Sequence, residues 1–424
     1  MKPTWVCQCL SAMLFLAGDL ADAQDAQLQM RVNELHVLIS HYYIEPATGN
    51  LLTRLDLSGK PLFLPGLRES PSIEDASLCG GMYLDALVQR YEVSRKPGAA
   101  EEARRLYSGV ILNATVSPSS GLLARGTHPD RTTYWGNPSV DQYTGVIFGL
   151  WRYYHSSLAT DSAKSVIQRV ILAMLRRFER DEWMLLDENG DTTSVWDLGY
   201  LDPTRAERLL SFLLVGYDLT GDAHWLRLYE QKKKTRLALC ANYDVRDTAG
   251  RPYPAWVQLQ NAMALRMLLD LAHDAGDLEI YRRGARSAIQ SGLPQISGYK
   301  KLVLESGRRM TRNEMMAAKL WGEGPLTQAI RNPFDEITTI LLLAGQEFYE
   351  PAMQAYREMM RSIDFTQLRT IWMTYPGEYN YWLAARLKLV PYDPGIDLET
   401  QGEAYRMLRQ DVFSEAANGA LSLR

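Results

Sequence analysis

Cysteine and histidine are scarce in this chain: 424 residues hold 4 cysteines and 6 histidines. Cys7 and Cys9 fall in the first ten residues, which leaves Cys79 and Cys240 in the body of the protein. Two distant thiols cannot form a disulfide framework, and with no CxxC they do not suggest zinc, so buried thiols or a single bridge remain. The Asp-rich loop DENGDTT, Asp187–Thr193, lacks the full acidic spacing and closing Glu of an EF-hand and reads as a turn. No metal is expected, and with neither a phosphate loop nor a dinucleotide fingerprint no cofactor is expected either. Positive charge is not in excess: 46 Lys and Arg face 50 Asp and Glu, for a net charge of −4 and a pI near 6.0. That balance argues against nucleic acid as a partner. No apolar run approaches the roughly 20 residues that span a bilayer. Strand signals are sparse, limited to pieces such as Met184–Leu186 and Lys301–Leu304.

What is present begins with a leader-like stretch. Lys2 supplies a positive start, Val6–Ala17 a modest apolar core interrupted by Gln8, and Ala21-Asp22-Ala23 a small-x-small cleavage site. Residues 1–23 are therefore expected to be a signal peptide, 24–424 one domain, and the location periplasmic or secreted. A helix is expected at 26–43, with Leu28, Val32, Leu35, Ile39 and Tyr42 on one face.

From residue 76 two kinds of helix alternate. One kind is apolar nearly all round, at 76–91, 141–154, 206–219, 259–272 and 335–345, and such helices must be buried. The other is amphipathic, at 99–114, 162–178, 223–239, 277–290 and 351–363. In the clearest case Ala163, Val166, Ile167, Val170, Ile171, Met174, Leu175 and Phe178 keep a 3.6-residue period. The turns between the two kinds fall roughly every 60 residues, a spacing that suits repeated helical hairpins. The fold class is all-α: inner helices covered by outer ones. A sixth inner helix at 379–390, paired with the N-terminal helix, would close an (α/α)6 toroid, which needs no capping repeats. An open solenoid is the alternative.

In such an array every loop that enters an inner helix emerges at one end. The second entry, in Tyr134–Tyr154 (YWGNPSVDQYTGVIFGLWRYY), offers Tyr134, Trp135, Asp141 and Gln142 at the mouth of a buried helix. The first contributes Asp75, the third Trp196, Asp197 and Tyr200, the fourth Trp256, the fifth Trp321 and Glu323, and the sixth Tyr375. Aromatics beside carboxylates and amides suit a sugar, because ring faces stack on pyranose C–H faces while polar groups take hydroxyls. Just before Tyr134, LLARGTHPDRTTYWG adds Arg125, His128 and Arg131, cations that would suit a carboxylate-bearing sugar. Plain readings stand beside these: Asp141 in a first helical turn also complements the helix dipole, Asp197 could be a loop cap, and the Arg125–Arg131 loop could be merely solvated. His36, His155, His224 and His273 read as packing or surface residues.

The hairpin layout and the entries DQYTG and VWDLGY resemble the six-hairpin, or (α/α)6-barrel, glycosidase superfamily over about residues 26–395. It includes glycoside hydrolases, unsaturated glucuronyl hydrolases and, in related toroids, polysaccharide lyases. The resemblance implies a carbohydrate-active enzyme. With the leader-like stretch and the carboxylates at the helix entries, the expectation is an exported glycoside hydrolase of oligosaccharides or polysaccharides. Uronides are among its expected substrates, with Asp141 and Asp197 as the acid/base pair. On an unsaturated uronide one Asp could serve as both acid and base. The paired histidines of sugar 2-epimerases on this fold are missing. The alternatives are a lyase acting by β-elimination, with His128 or Tyr134 as its base, and a non-catalytic glycan-binding protein. Oligomeric state is not legible.

Overall fold

The computed structural model describes residues 23–55, 60–64, 66–193, 197–242, 255–299, 325–363 and 375–399, with backbone alone at 292–299 and 325–330. Among the described residues there are twelve α-helices and no strand beyond isolated bridges such as Leu186 with Thr192. We number them α1 (23–38), α2 (Ala76–Ser94), α3 (Pro97–Thr115), α4 (Val140–Tyr154), α5 (Asp161–Arg180) and α6 (Pro203–Thr220). The rest are α7 (Ala223–Arg236), α8 (Ala255–Leu271), α9 (Ala275–Tyr299), α10 (Pro325–Leu342), α11 (Tyr349–Ser362) and α12 (Tyr375–Arg386).

The even-numbered helices form a closed inner ring. Each touches the next in chain order, and α12 returns to α2. This is the (α/α)6 barrel, closed and not an open solenoid. Local chemistry sets the hairpins. Gly221, at φ 67°, ends α6, and the next residue, Asp222, caps α7 by accepting from His224 N at 2.8 Å. Asp202 caps α6 and Pro203 follows at its first position, where a missing N–H costs nothing.

The tightest seam lies between α2 and α4. A Cβ placed on Gly81 would stand 2.0 Å from the Gly145 carbonyl oxygen, and one on Gly149 would stand 2.1 Å from that of Gly81. These glycines let two buried backbones touch. The seam brings the mouths of α2 and α4 side by side.

Ring closure falls to α1, the outer partner of α12. Asn33 Nδ2 donates to Ile396 O at 2.7 Å, Gln29 Nε2 to Asp393 O at 2.9 Å, and Arg31 Nε to Met360 O at 3.0 Å. His36 meets Glu378 of α12 at 2.9 Å and Glu102 of α3 at 3.1 Å. Deeper inside, buried Asp85 of α2 accepts from Arg152 of α4 at 2.9 Å and from the Tyr379 hydroxyl of α12. That cross-ring network fills the barrel below the mouth. The thiols of Cys79 and Cys240 are both buried and free. The leader-like residues 1–22 lie outside the described residues.

Candidate active site

The mouth of α4 is built by its cap. Gln142 Oε1 accepts from Ser139 N at 3.0 Å, the reach-back half of a capping box. With its oxygen committed there, the Gln142 amide must present its NH2 the other way, and Nε2 donates to Asp75 Oδ1 at 2.7 Å. A helix cap on α4 thereby grips the carboxylate at the start of α2. Arg125 approaches the same oxygen at 3.6 Å, and its other bonds run to Asn137 O at 2.6 Å and Glu74 O at 3.2 Å. Burial pushes the Asp75 carboxyl up to about 6; Arg125 and Arg331 oppose that, while Glu74 and Asp141 add to it.

Asp141, the residue before Gln142 in the first turn of α4, is held differently. Arg208 of α6 donates to it at 2.6 Å. The same guanidinium donates to Gln260 Oε1 at 2.8 Å and to Asn261 Oδ1 at 3.2 Å, both on α8. From α10, Arg331 meets Asp335 at 3.1 Å and lies 5.8 Å from the ring centre of Trp256. Burial raises the Asp335 carboxyl to about 6 as well, against Arg331. Tyr375 opens α12, its hydroxyl directed to Met82 Sδ at 3.7 Å. The charges of Asp75, Arg331 and Asp335 all reach Cys79, which also meets the Tyr375 hydroxyl. All six inner helices thus supply a polar group to one mouth.

The structure brings together Asp75, Asp141, Gln142, Arg125, Trp256 and Tyr375 from the residues singled out in the sequence. Trp135 joins them through Arg125, whose guanidinium lies 5.3 Å from its ring centre. Asp197 is placed elsewhere. It accepts from Gly199 N within its own loop, and the cation that feels its charge is Arg236 of outer helix α7. Among the described residues no hydrogen bond or ion pair joins it to Asp141, and the carboxyl that feels the charge of Asp141 is Asp75. The physical reason is that a loop carboxylate with a backbone N–H two residues on closes its own turn.

Tyr134 and His128 stand at the rim. The Tyr134 hydroxyl donates to Glu188 at 2.9 Å, the Arg68 guanidinium lies 4.6 Å from its ring centre, and His128 Nε2 lies 3.0 Å from Arg68 O. Tyr200 is 67% exposed above α6, with Arg205 at 5.4 Å. Trp196, Trp321 and Glu323 lie outside the described residues. Arg208, Arg331 and Gln260 were not singled out from the sequence. For Arg208 and Gln260 the signal was available: a charged or amide side chain in the second turn of a helix otherwise apolar all round. Arg331 precedes the helix start expected at 335.

No protein-family model matches the chain, and no curated protein matches it in sequence. Among solved structures the chain is similar to an unsaturated glucuronyl hydrolase specific for heparin, at 12% identity and TM-score 0.47, over 86% of this chain and 98% of that one. It is similar to a sugar epimerase from a ruminal bacterium, at 11% identity and TM-score 0.49, over 85% and 99%. A glycoside hydrolase family 76 mannosidase from Bacteroides thetaiotaomicron VPI-5482 is similar at 12% identity and TM-score 0.44, over 85% and 97%. These are likenesses of chain path. The chemistry of the mouth lies in this chain's own side chains.

Proposed function

We propose that the protein is an exported glycoside hydrolase acting on oligosaccharides, with Asp75 and Asp141 as its carboxyl pair. One observation carries this reading: two neighbouring carboxyls at one mouth are held in environments that separate their roles. Asp75, raised to about 6 by burial, keeps a proton available in mildly acidic solution. Asp141, ion-paired with Arg208, is the carboxylate. A glycosidase needs one carboxylic acid to protonate the leaving oxygen and one carboxylate to attack or to activate water. Trp256, Trp135 and Tyr375 supply aromatic surface around that pair, and the arginines hold it in place.

The test is turnover of an oligosaccharide panel followed by reducing-end release. Asp75→Asn and Asp141→Asn should each lose about 1000-fold or more in kcat, as removal of an acid or base does. Asp197→Asn, which alters a loop turn, should stay within a few-fold of wild type. Full activity in either of the first two variants would remove the assignment. Products that absorb in the ultraviolet as conjugated uronates would instead indicate β-elimination.

A further inference from the structure

Asp75 stands at the N-cap of α2, where an aspartate ordinarily accepts from the N–H groups of the first turn. Its side chain does not do so here. The Ser77 N–H goes instead to Arg125 O at 2.8 Å, which leaves the Asp75 carboxyl free to turn toward α4. There it meets an amide whose orientation is fixed. Gln142 Oε1 accepts from both the Ser139 N–H and the Ser139 hydroxyl, so the NH2 group is what faces Asp75. Nε2 donates to Oδ1 at 2.7 Å, and Arg125 approaches that same oxygen at 3.6 Å. Among the described residues no other side chain donates a hydrogen bond to this carboxyl, and none donates to Oδ2. An oxygen that already accepts an N–H is the poorer place for a proton, so the proton of the acid form belongs on Oδ2.

We infer that Gln142 is a positioning residue: by donating to Oδ1 it holds the Asp75 proton on Oδ2, the oxygen that delivers it to the leaving group. The inference rests on the reading of Asp75 as the acid. The proton passes from Oδ2 to the glycosidic oxygen as the C–O bond breaks and its electron pair goes to that oxygen. Asp141 supplies the new electron pair to the anomeric carbon, directly or by taking a proton from the attacking water. Asp75 is left as a carboxylate, and the Gln142 N–H on Oδ1 already meets that charge. The charged groups that reach Asp75 are Arg125, Glu74, Asp141 of α4 and Arg331 of α10, with the Cys79 thiol one turn along α2.

A Gln142 that only caps α4 makes Gln142→Glu silent, because glutamate completes a capping box as well as glutamine does. A positioning Gln142 does not. The substitution sets a carboxylate against Oδ1 where an N–H had been, and two facing acceptors must share a proton. The titration midpoint of Asp75 is read in the full chain from carboxyl carbon NMR shifts, its signal identified by its loss in Asp75→Asn. In Gln142→Glu that midpoint should rise by about one pH unit or more. On the oligosaccharide panel kcat should fall about tenfold or more with KM within a few-fold, because the shared proton no longer sits on Oδ2. Gln142→Met fills similar space without a donor and should raise the midpoint by less; it decides if thermal melts show Gln142→Glu to be unfolded. Ser139→Ala keeps the Ser139 N–H, and with it the amide's orientation. It should lower the melting temperature and leave the Asp75 midpoint in place. A wild-type midpoint and kcat in folded Gln142→Glu, or a Ser139→Ala midpoint that moves as far as that of Gln142→Glu, would overturn the inference. A midpoint that rises as expected in a protein that cleaves no glycan would instead remove the proposed activity and leave the hold of Gln142 on the Asp75 proton standing.

Discussion

Arg208 shows what a single residue can do when it sits in a helix that is otherwise apolar. One buried guanidinium spans three side chains on two helices, Asp141, Gln260 and Asn261. Lysine keeps the charge but not the planar fork, and cannot reach all three. Arg208→Lys should therefore lower kcat/KM about 100-fold, which corresponds to about 2.7 kcal/mol of transition-state stabilisation. Near-wild-type kinetics in a folded Arg208→Lys protein would mean the fork is not needed. Asp75 offers a second residue-scale prediction. Its folded pKa of about 6 exceeds the ordinary 3.8, so the folded state holds a proton that the unfolded chain releases. Stability is then full below about 4 and is lost as pH rises toward 6, at most about 3 kcal/mol for two pK units. Asp75→Asn should abolish activity yet raise stability at pH 7.5, by about 1–3 kcal/mol in urea titrations. Carboxylates and aromatics at the helix entries were legible because residue type and position announce them. The Asp75–Asp141 pairing was not, because it depends on which way the Gln142 amide points and on the seam that draws α2 against α4.

The helices themselves were more legible than their ends. All-round apolarity identified five inner helices, and their pairing into hairpins followed from their alternation with amphipathic ones and from turns roughly every 60 residues. The expected start of α10, residue 335, falls just past Pro333, a residue that disfavours a helix interior. The helix instead runs through it from Pro325. Interhelical distance was also invisible in the sequence, yet it decides what each glycine does. Gly80 and Gly81 are adjacent in α2, but a Cβ on Gly80 meets only Val110 Cγ2 at an ordinary 3.4 Å, while one on Gly81 collides with the α4 backbone. Gly80→Ala should thus be neutral or stabilising by up to about 1 kcal/mol through helix propensity. Gly81→Ala should cost about 3 kcal/mol or more, since backbone cannot move aside as a side chain can. Urea midpoints of the two variants measure the contrast, and equal shifts would contradict the close seam.

At the scale of the whole molecule, a ring closed by its own ends concentrates its weakness at the closure. The expectation that the N-terminal helix would complete the sixth hairpin was readable from periodicity and helix count. The chemistry of that closure was not, because His36 looked like any helical histidine. His36 is buried between Glu378 and Glu102, with Arg90 donating to Glu102 and Trp382 to Glu378 at 3.0 Å. Burial and Arg90 oppose its charge, but the two carboxylates win and raise it to about 9. A histidine raised in the fold contributes stability that is complete below about 6.5 and disappears as pH climbs through 9. Glu102, held at about 2 by His36 and Arg90 against burial, works the other way and is lost as pH falls from 4.5 toward 2. Asp75 and Asp335 weaken the fold as pH rises from about 4 to 6. These slopes place the stability maximum near pH 4–5, with a decline on both sides. His36→Ala leaves the buried Glu378 without its cation and the half-buried Glu102 with Arg90 alone, so it should cost about 3 kcal/mol near pH 6. It should also flatten the decline between pH 6.5 and 9 while leaving the decline between 4 and 6 unchanged. Thermal melts of wild type and His36→Ala across pH 3–9 separate the two segments, since one belongs to the closure and the other to the mouth. A wild-type profile flat from pH 4 to 9, or a variant with the wild-type alkaline slope, would show that the closing helix is held by apolar packing alone.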